Sequence, residues 1–381
     1  MSSLALKGGE TINNAEKRMC NIINQGRFKM HKIKTKRQQF VLSLLLLMIT
    51  PVSAQDLSLP KIHTTVAVQS EFYFGEDDTI LGYQVPDNKF TARYAAIELE
   101  GELGEYVEYN LEMGTASCLG PGASVNMMEA GIFFKPINFL KMGIIRGHIM
   151  RGFELYEECM DVLTAEKPRF FKTFAPCHPT GAVMDLDYDF TETVGISAQL
   201  AYLNGTQKGT ITEEHDMNSG IILHTPVSGL SLCGFYTNMQ QDFEFDEKLD
   251  KASRNGFGLN YNAFNMHLRG EYYLGKGFFS SYPDVISEDL EMRIFYIEGG
   301  YKWQTGITAL PYVGPYVMYQ SWDKGYNVEG NQKYTYITTG LTLGLGSPNT
   351  KLRIDYEIPR KFPDDTYEEA NRIILRLQAE Y

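Results

Sequence analysis

Residues Arg372–Tyr381 read Arg-Ile-Ile-Leu-Arg-Leu-Gln-Ala-Glu-Tyr. Ile373, Leu375, Leu377, Ala379 and Tyr381 fall on one side, and Arg372, Arg376, Gln378 and Glu380 on the other. A period of two is that of a β-strand. An apolar-out, polar-in strand ending on an aromatic at the end of the sequence is how a transmembrane barrel closes. Its last strand pairs with its first, and the aromatic sits at the membrane interface. The expectation is therefore an all-β fold, a transmembrane antiparallel β-barrel, and it requires the rest of the chain to supply the other strands.

It does so. Alternating segments bounded by turn residues run over 62–74, 91–103, 106–114, 125–135, 140–147, 182–190, 194–203 and 218–225. They continue over 230–239, 253–261, 264–274, 292–303, 311–320, 334–345 and 351–357, with the closing strand last. That makes about 16 strands, an even number. Short connections at Gly104–Glu105, Pro136–Phe139, Thr191–Thr193, Pro226–Gly229, Asn262–Ala263, Gln304–Leu310 and Gly346–Thr350 alternate with long polar ones. A barrel with short periplasmic turns and long external loops has this order, and a β-sandwich has no reason to show it.

The faces agree with the count. Glu98, Glu100 and Glu102 oppose Ala95, Ile97, Leu99 and Leu103, and Glu108 and Glu112 oppose Val107, Leu111 and Met113. Asp185, Asp187 and Asp189 oppose Met184, Leu186 and Tyr188. Arg269, Glu298, Lys302, Lys351, Arg353, Asp355 and Glu357 also sit on polar faces. Such faces carry too many charges for a packed core without extensive pairing, and they suit the water-filled lumen that sixteen strands enclose.

The N-terminal 54 residues differ in kind. They hold nine Lys and Arg against two Asp and Glu, so the remaining chain carries 26 bases and 45 acids within a formal net charge of −12. His31–Arg37 is a basic run, 40–49 an apolar run too short to cross a bilayer as a helix, and Val52-Ser-Ala54 a cleavage pattern. We expect 1–54 to be a leader with a signal peptide cleaved after Ala54, its true start at Met30, and 55–381 to be the outer-membrane barrel. The acidic balance argues against a nucleic-acid partner, leaving lipid and small hydrophilic solutes or ions.

From Phe90 to Gly205 the order of motifs resembles the phosphate-selective porin family (O and P type) of Gram-negative outer membranes. The matching residues are Phe90-Thr-Ala-Arg-Tyr94, Leu99-Glu-Gly-Glu-Leu103, Tyr109-Asn-Leu-Glu-Met113 and Glu129-Ala-Gly-Ile-Phe133. They continue with Leu140-Lys-Met-Gly-Ile144, Gly147, Gly152-Phe-Glu154, Lys167-Pro-Arg169, Gly181 and Tyr202-Leu-Asn-Gly205. The resemblance implies a sixteen-stranded barrel, a homotrimer, and a third long loop that folds inward, here His148–Thr180. Members selective for anions such as phosphate line the channel with Arg and Lys. Here the inward positions are mostly acidic, with Lys141, Arg269, Lys302, Lys351, Arg353, Arg372 and Arg376 as the bases.

Candidate site residues follow. Arg146, His148, Arg151, Glu154, Lys167, Arg169 and Lys172 are candidates for a pore constriction, where opposed charges filter solutes. Lys141, Glu98, Glu100, Glu108, Glu112, Asp185, Asp187, Arg269, Lys302, Arg353 and Arg376 are candidates for the pore wall. Asp185-Leu-Asp-Tyr-Asp189 looks like the start of a calcium loop but has Phe190 at the sixth position, where glycine is required; it reads as a lumen row. Cys159 and Cys177 either form a disulfide that staples the loop or stay free thiols. No nucleophile elbow, phosphate-cradling loop, cofactor motif or metal-spacing pattern appears. The function expected is passive diffusion of small hydrophilic or charged solutes, not catalysis. The alternative is a non-conducting outer-membrane barrel with a structural or surface-binding role.

Overall fold

The computed structural model describes residues 61–74, 79–80, 83–84, 89–116, 126–156, 162–165, 167–168, 170, 174, 178–204, 215–241, 250–277, 291–323, 325, 333–361 and 371–380. The leader expected over 1–54, the residues Arg169, Lys172, Cys159 and Cys177, and the terminal Tyr381 lie outside the described residues.

Sixteen strands form one closed antiparallel sheet. They are β1 Lys61–Phe74, β2 Lys89–Leu103, β3 Val107–Ala116, β4 Asn126–Ile137, β5 Leu140–Arg146, β6 Thr180–Asp189, β7 Gly195–Asn204 and β8 His215–His224. Then follow β9 Leu230–Gln241, β10 Asp250–Ala263, β11 Met266–Lys276 and β12, which is Glu291–Tyr301 continued by Trp303–Ile307. The last are β13 Leu310–Asp323, β14 Lys333–Leu345, β15 Ser347–Lys361 and β16 Asn371–Glu380. Each strand pairs with its chain neighbour, and β16 returns to β1 in antiparallel register from Thr65↔Glu380 to Phe74↔Asn371. Closure leaves no sheet edge, the condition for backbone polar groups to be satisfied in lipid. Among the described residues no helix is long and apolar enough to cross a membrane.

Three turns differ from the expected positions. Asn262 and Ala263 belong to the ladder, opposite His267 and Met266. The turn is Phe264–Asn265, with φ of 54° and 60°. Two positive φ values in a two-residue hairpin give the twist that antiparallel strands need. Phe264 reads as strand because it is apolar, yet it stands 79% exposed at the barrel rim. β12 runs on to Ile307, which pairs with Leu310. Gly346, at φ 63°, is the whole connection between β14 and β15.

The outer surface is apolar. Ile97, Ile132, Ile144, Leu200, Leu232, Leu259, Ile297, Val317 and Leu377 are all exposed there, and the residues beside them in sequence point inward. Toward the short turns the exposed residues become aromatic: Tyr106, Phe139, Tyr188, Phe190, Phe264, Tyr301 and Trp303. Phe139 meets Tyr188 edge-on at 5.5 Å, and Tyr188 meets Phe190 at 5.1 Å. An aliphatic band with an aromatic girdle is the outer face of a transmembrane barrel.

The inner surface is not uniformly wet. On β9 and β11–β13, Phe235, Tyr273, Met292, Ile294, Tyr296 and Trp322 point inward and are buried with Leu155, Phe170 and Phe174 from the connection between β5 and β6. This corrects the expectation of a wholly hydrated lumen. Alternation places a side chain inside but does not say whether water or the chain itself will cover it.

Candidate functional site: the inward loop and the wall that holds it

The connection 147–179 starts and ends side by side, because the Gly147 N–H donates to the Pro179 carbonyl at 3.2 Å. Ile149 then packs with Ile145, Val183, Ala201 and Leu203. The Met150 N–H donates to Gln199 Oε1 at 2.8 Å, and its carbonyl accepts from Asn218 Nδ2 at 3.1 Å. A Cβ on Gly220 would run into that carbonyl; a glycine on the inner face of β8 lets loop backbone lie against the wall.

Gly152 bends the chain at φ 95°, a conformation cheap only for glycine. The bend aims two consecutive amides at one carboxylate. Glu271 of β11 accepts from the N–H of Phe153 at 2.7 Å and of Glu154 at 3.0 Å. It also accepts the Tyr296 hydroxyl, and the Cys233 thiol at 3.6 Å. Glu271 is 2% exposed. A buried carboxylate costs several kcal/mol unless well paired, and hydrogen bonds to a charged group each return about 1.5–3 kcal/mol. Four donors therefore make Glu271 the main polar anchor of the loop.

Other anchors follow the loop across the lumen. Glu154 Oε2 accepts from Arg269 Nη1 at 2.8 Å, while Arg269 lies 3.8 Å from Glu298, which in turn meets His267 at 3.0 Å. Lys167 Nζ donates to the Glu154 carbonyl at 3.1 Å. The Ala165 N–H reaches Asp355 Oδ2 of β15 at 2.8 Å, and Asp355 also accepts the Tyr316 hydroxyl. Arg254 donates to the Phe174 carbonyl at 3.4 Å, with its cation 5.7 Å over that ring.

Among the described residues two cavities lie beside the loop. One, of about 490 Å³, is bordered by Glu129, Lys141, Arg146, His148, Asp185 and Arg269, among others. The second, of about 450 Å³, reaches the short-turn end at Asn265 and is bordered by His267, Arg269, Lys302, Lys351 and Arg353, with no Asp or Glu among the described residues that line it. Arg269 borders both.

The predicted residues separate accordingly. Arg146 and His148 border the first cavity, and Arg146 Nε is tied to the Met127 carbonyl at 3.0 Å. Arg151 and Glu154, expected at a constriction, are instead buried against the wall at 2% and 0% exposure. Burial lowers the Arg151 guanidinium to about 10, with Asp216 opposing the shift, so it stays charged at neutral pH. On the acidic arc, Glu108 binds Lys135 at 2.5 Å and lies 3.7 Å from Lys141. Glu98 stands opposite Glu112, which accepts the Tyr94 hydroxyl, and Glu100 opposite Asn110. Asp185 accepts from Gln199 and Asp187 from Ser197, each at 2.9 Å. On the basic arc, Lys302 lies 4.3 Å over the Tyr312 ring, Arg353 donates to Gln378 at 2.7 Å and Arg376 to Gln69 at 3.1 Å. Acids on that arc are matched to donors, as Glu357 is to Arg372 at 2.8 Å.

Glu271 and Asp355 were legible only as lumen-facing charges. The pairing of Glu129 with His148 and His178 was not legible, because the two histidines are thirty positions apart and meet only when the loop ends converge.

Solved structures share this architecture. The outer membrane channel DcaP of Acinetobacter baumannii superposes with a TM-score of 0.61 at 11% identity, over 84% of this chain and 97% of that one. A Salmonella typhi OmpF complex with daunomycin gives 0.60 at 12%, over 84% and 97%. An anion-selective porin from Comamonas acidovorans gives 0.58 at 12%, over 86% and 100%. No family model and no curated protein matches the sequence. The closed sixteen-stranded barrel with its apolar outer band is thus similar in fold to these outer-membrane channels.

Proposed function

We propose that the chain is a porin of a Gram-negative outer membrane, passing small hydrophilic solutes by diffusion and narrowed by the loop 147–179. The observation that carries this reading is the loop itself. Its described residues are anchored at Glu271, Arg269 and Asp355, and charged cavities lie beside them. Solutes pass between acids on β2–β4 and β6 and bases on β11–β16, a transverse arrangement that orders water and filters by charge. The leader directs export, and the trimer of the resembled family is the assembly we adopt.

The charge of the short-turn cavity supports a preference for anions, the class to which phosphate belongs. Lys302, Lys351, Arg353 and Arg269 border it, and the carboxylates beside them stand outside its described lining, Glu380 at 3.7 Å from Lys351 and Glu298 at 3.8 Å from Arg269. The test is planar-bilayer recording of refolded protein in a salt gradient. Stepwise conductance with a reversal potential on the anion side is expected, and Lys302→Gln with Lys351→Gln moves that potential toward the cation side. Absence of steps rejects the channel and favours the non-conducting barrel; steps with cation preference unchanged by the double substitution reject the anion assignment.

A further inference from the structure

At the base of the loop three side chains converge. Glu129 points inward from β4, while His148 and His178 flank the loop at its two ends. His148 Nδ1 lies 3.3 Å and His178 Nε2 3.6 Å from the same oxygen, Glu129 Oε1. The rings stack at 4.7 Å between centroids, inclined by 29°. One ligand atom from each residue lies within 4.8 Å of the others. Both imidazoles are nearly enclosed, with side-chain exposures of 9% and 3%.

Two imidazole nitrogens converge on one carboxylate oxygen. As a ligand set the same geometry is favourable. Donor atoms bound at about 2.0–2.1 Å in a tetrahedral shell stand roughly 3.3–3.4 Å apart, close to the two measured separations. Two imidazoles and one carboxylate suit a borderline divalent cation such as zinc more than calcium or magnesium, which take oxygen ligands. Glu129 and His148 both border the 490 Å³ cavity, so water can complete the shell from that side.

We propose that Glu129, His148 and His178 bind one divalent transition-metal ion, with zinc as the preferred occupant. The ion ties both ends of the loop to β4, where the only direct backbone tie between the ends that the described hydrogen bonds include is Gly147 to Pro179. It also places positive charge on the wall of the first cavity. Binding does not depend on the channel reading, since a barrel that never conducts can still hold the ion.

The experiment is calorimetric titration of Zn²⁺ into refolded, untagged protein stripped with chelator, alongside Glu129→Gln, His148→Ala, His178→Ala and His63→Ala. One saturable site per chain is expected in the parent and in His63→Ala, with affinity lower by roughly 100-fold in each of the other three. Heat-modifiable gel migration identifies any variant that has not formed its barrel, and the near-isosteric Glu129→Gln keeps the comparison valid if a histidine variant fails. Co²⁺ in place of Zn²⁺ shows the visible absorption of a four-coordinate site in the parent and in His63→Ala, and not in the other three variants. No saturable binding, or equal binding in the parent and Glu129→Gln, overturns the assignment.

Discussion

Glu271→Ala releases the loop, and two readouts move together. Single-channel conductance rises roughly two-fold as the narrowing relaxes, and the barrel loses about 3–5 kcal/mol against denaturant. The cause is specific. Glu271 is buried and accepts two loop amides, a tyrosine hydroxyl and a thiol. Removing it strands the N–H groups of Phe153 and Glu154 in a low-dielectric site, where an unmade hydrogen bond costs about 1–3 kcal/mol. The apolar contacts of Leu155, Phe170 and Phe174 with the wall keep the barrel folded, so the loss is partial. Glu271→Gln retains one acceptor oxygen and falls between parent and alanine. Equal conductance in parent and Glu271→Ala shows that the loop does not limit flow.

Leu200→Arg is the second large effect, and it acts on the opposite surface. Leu200 lies mid-strand on β7 and is 53% exposed on the outer band, while its neighbour Gln199 is 3% exposed inside. A guanidinium at the bilayer midplane destabilises a barrel by about 2–4 kcal/mol, and less near the interfaces. The same substitution at Phe264, in the short turn at the barrel rim, costs roughly 0–1 kcal/mol. Equilibrium unfolding in lipid vesicles measures both. A soluble fold reverses the expectation, since an arginine at an exposed leucine is tolerated in water.

The barrel was legible because its rule is local. Outside and inside alternate residue by residue, so Asp185, Asp187 and Asp189 declare a face without knowledge of any partner. Turn residues were less legible: Phe264–Asn265 adopts positive φ with an apolar residue, and hydropathy cannot reveal that. The loop was legible by length and position, and its acceptors were not. Glu271 meets amides 117 and 118 residues away, and nothing in a row of inward charges says which one the loop will choose. For the same reason Arg151 and Glu154 read as constriction charges although the fold buries them. The inward apolar patch around Tyr273 and Tyr296 escaped notice because an alternating strand can place a hydrophobe on either face when a second segment arrives to cover it.

One measurement addresses the central claim, that a single wrapped sheet faces lipid outside and water within. In a cysteine-free background in vesicles, single cysteines at Ile97, Glu98, Leu99 and Glu100 of β2 are exposed to a charged, water-soluble thiol reagent. The account predicts labelling at 98 and 100 and protection at 97 and 99. Labelling at all four positions, or at 97 and 99 instead, contradicts it.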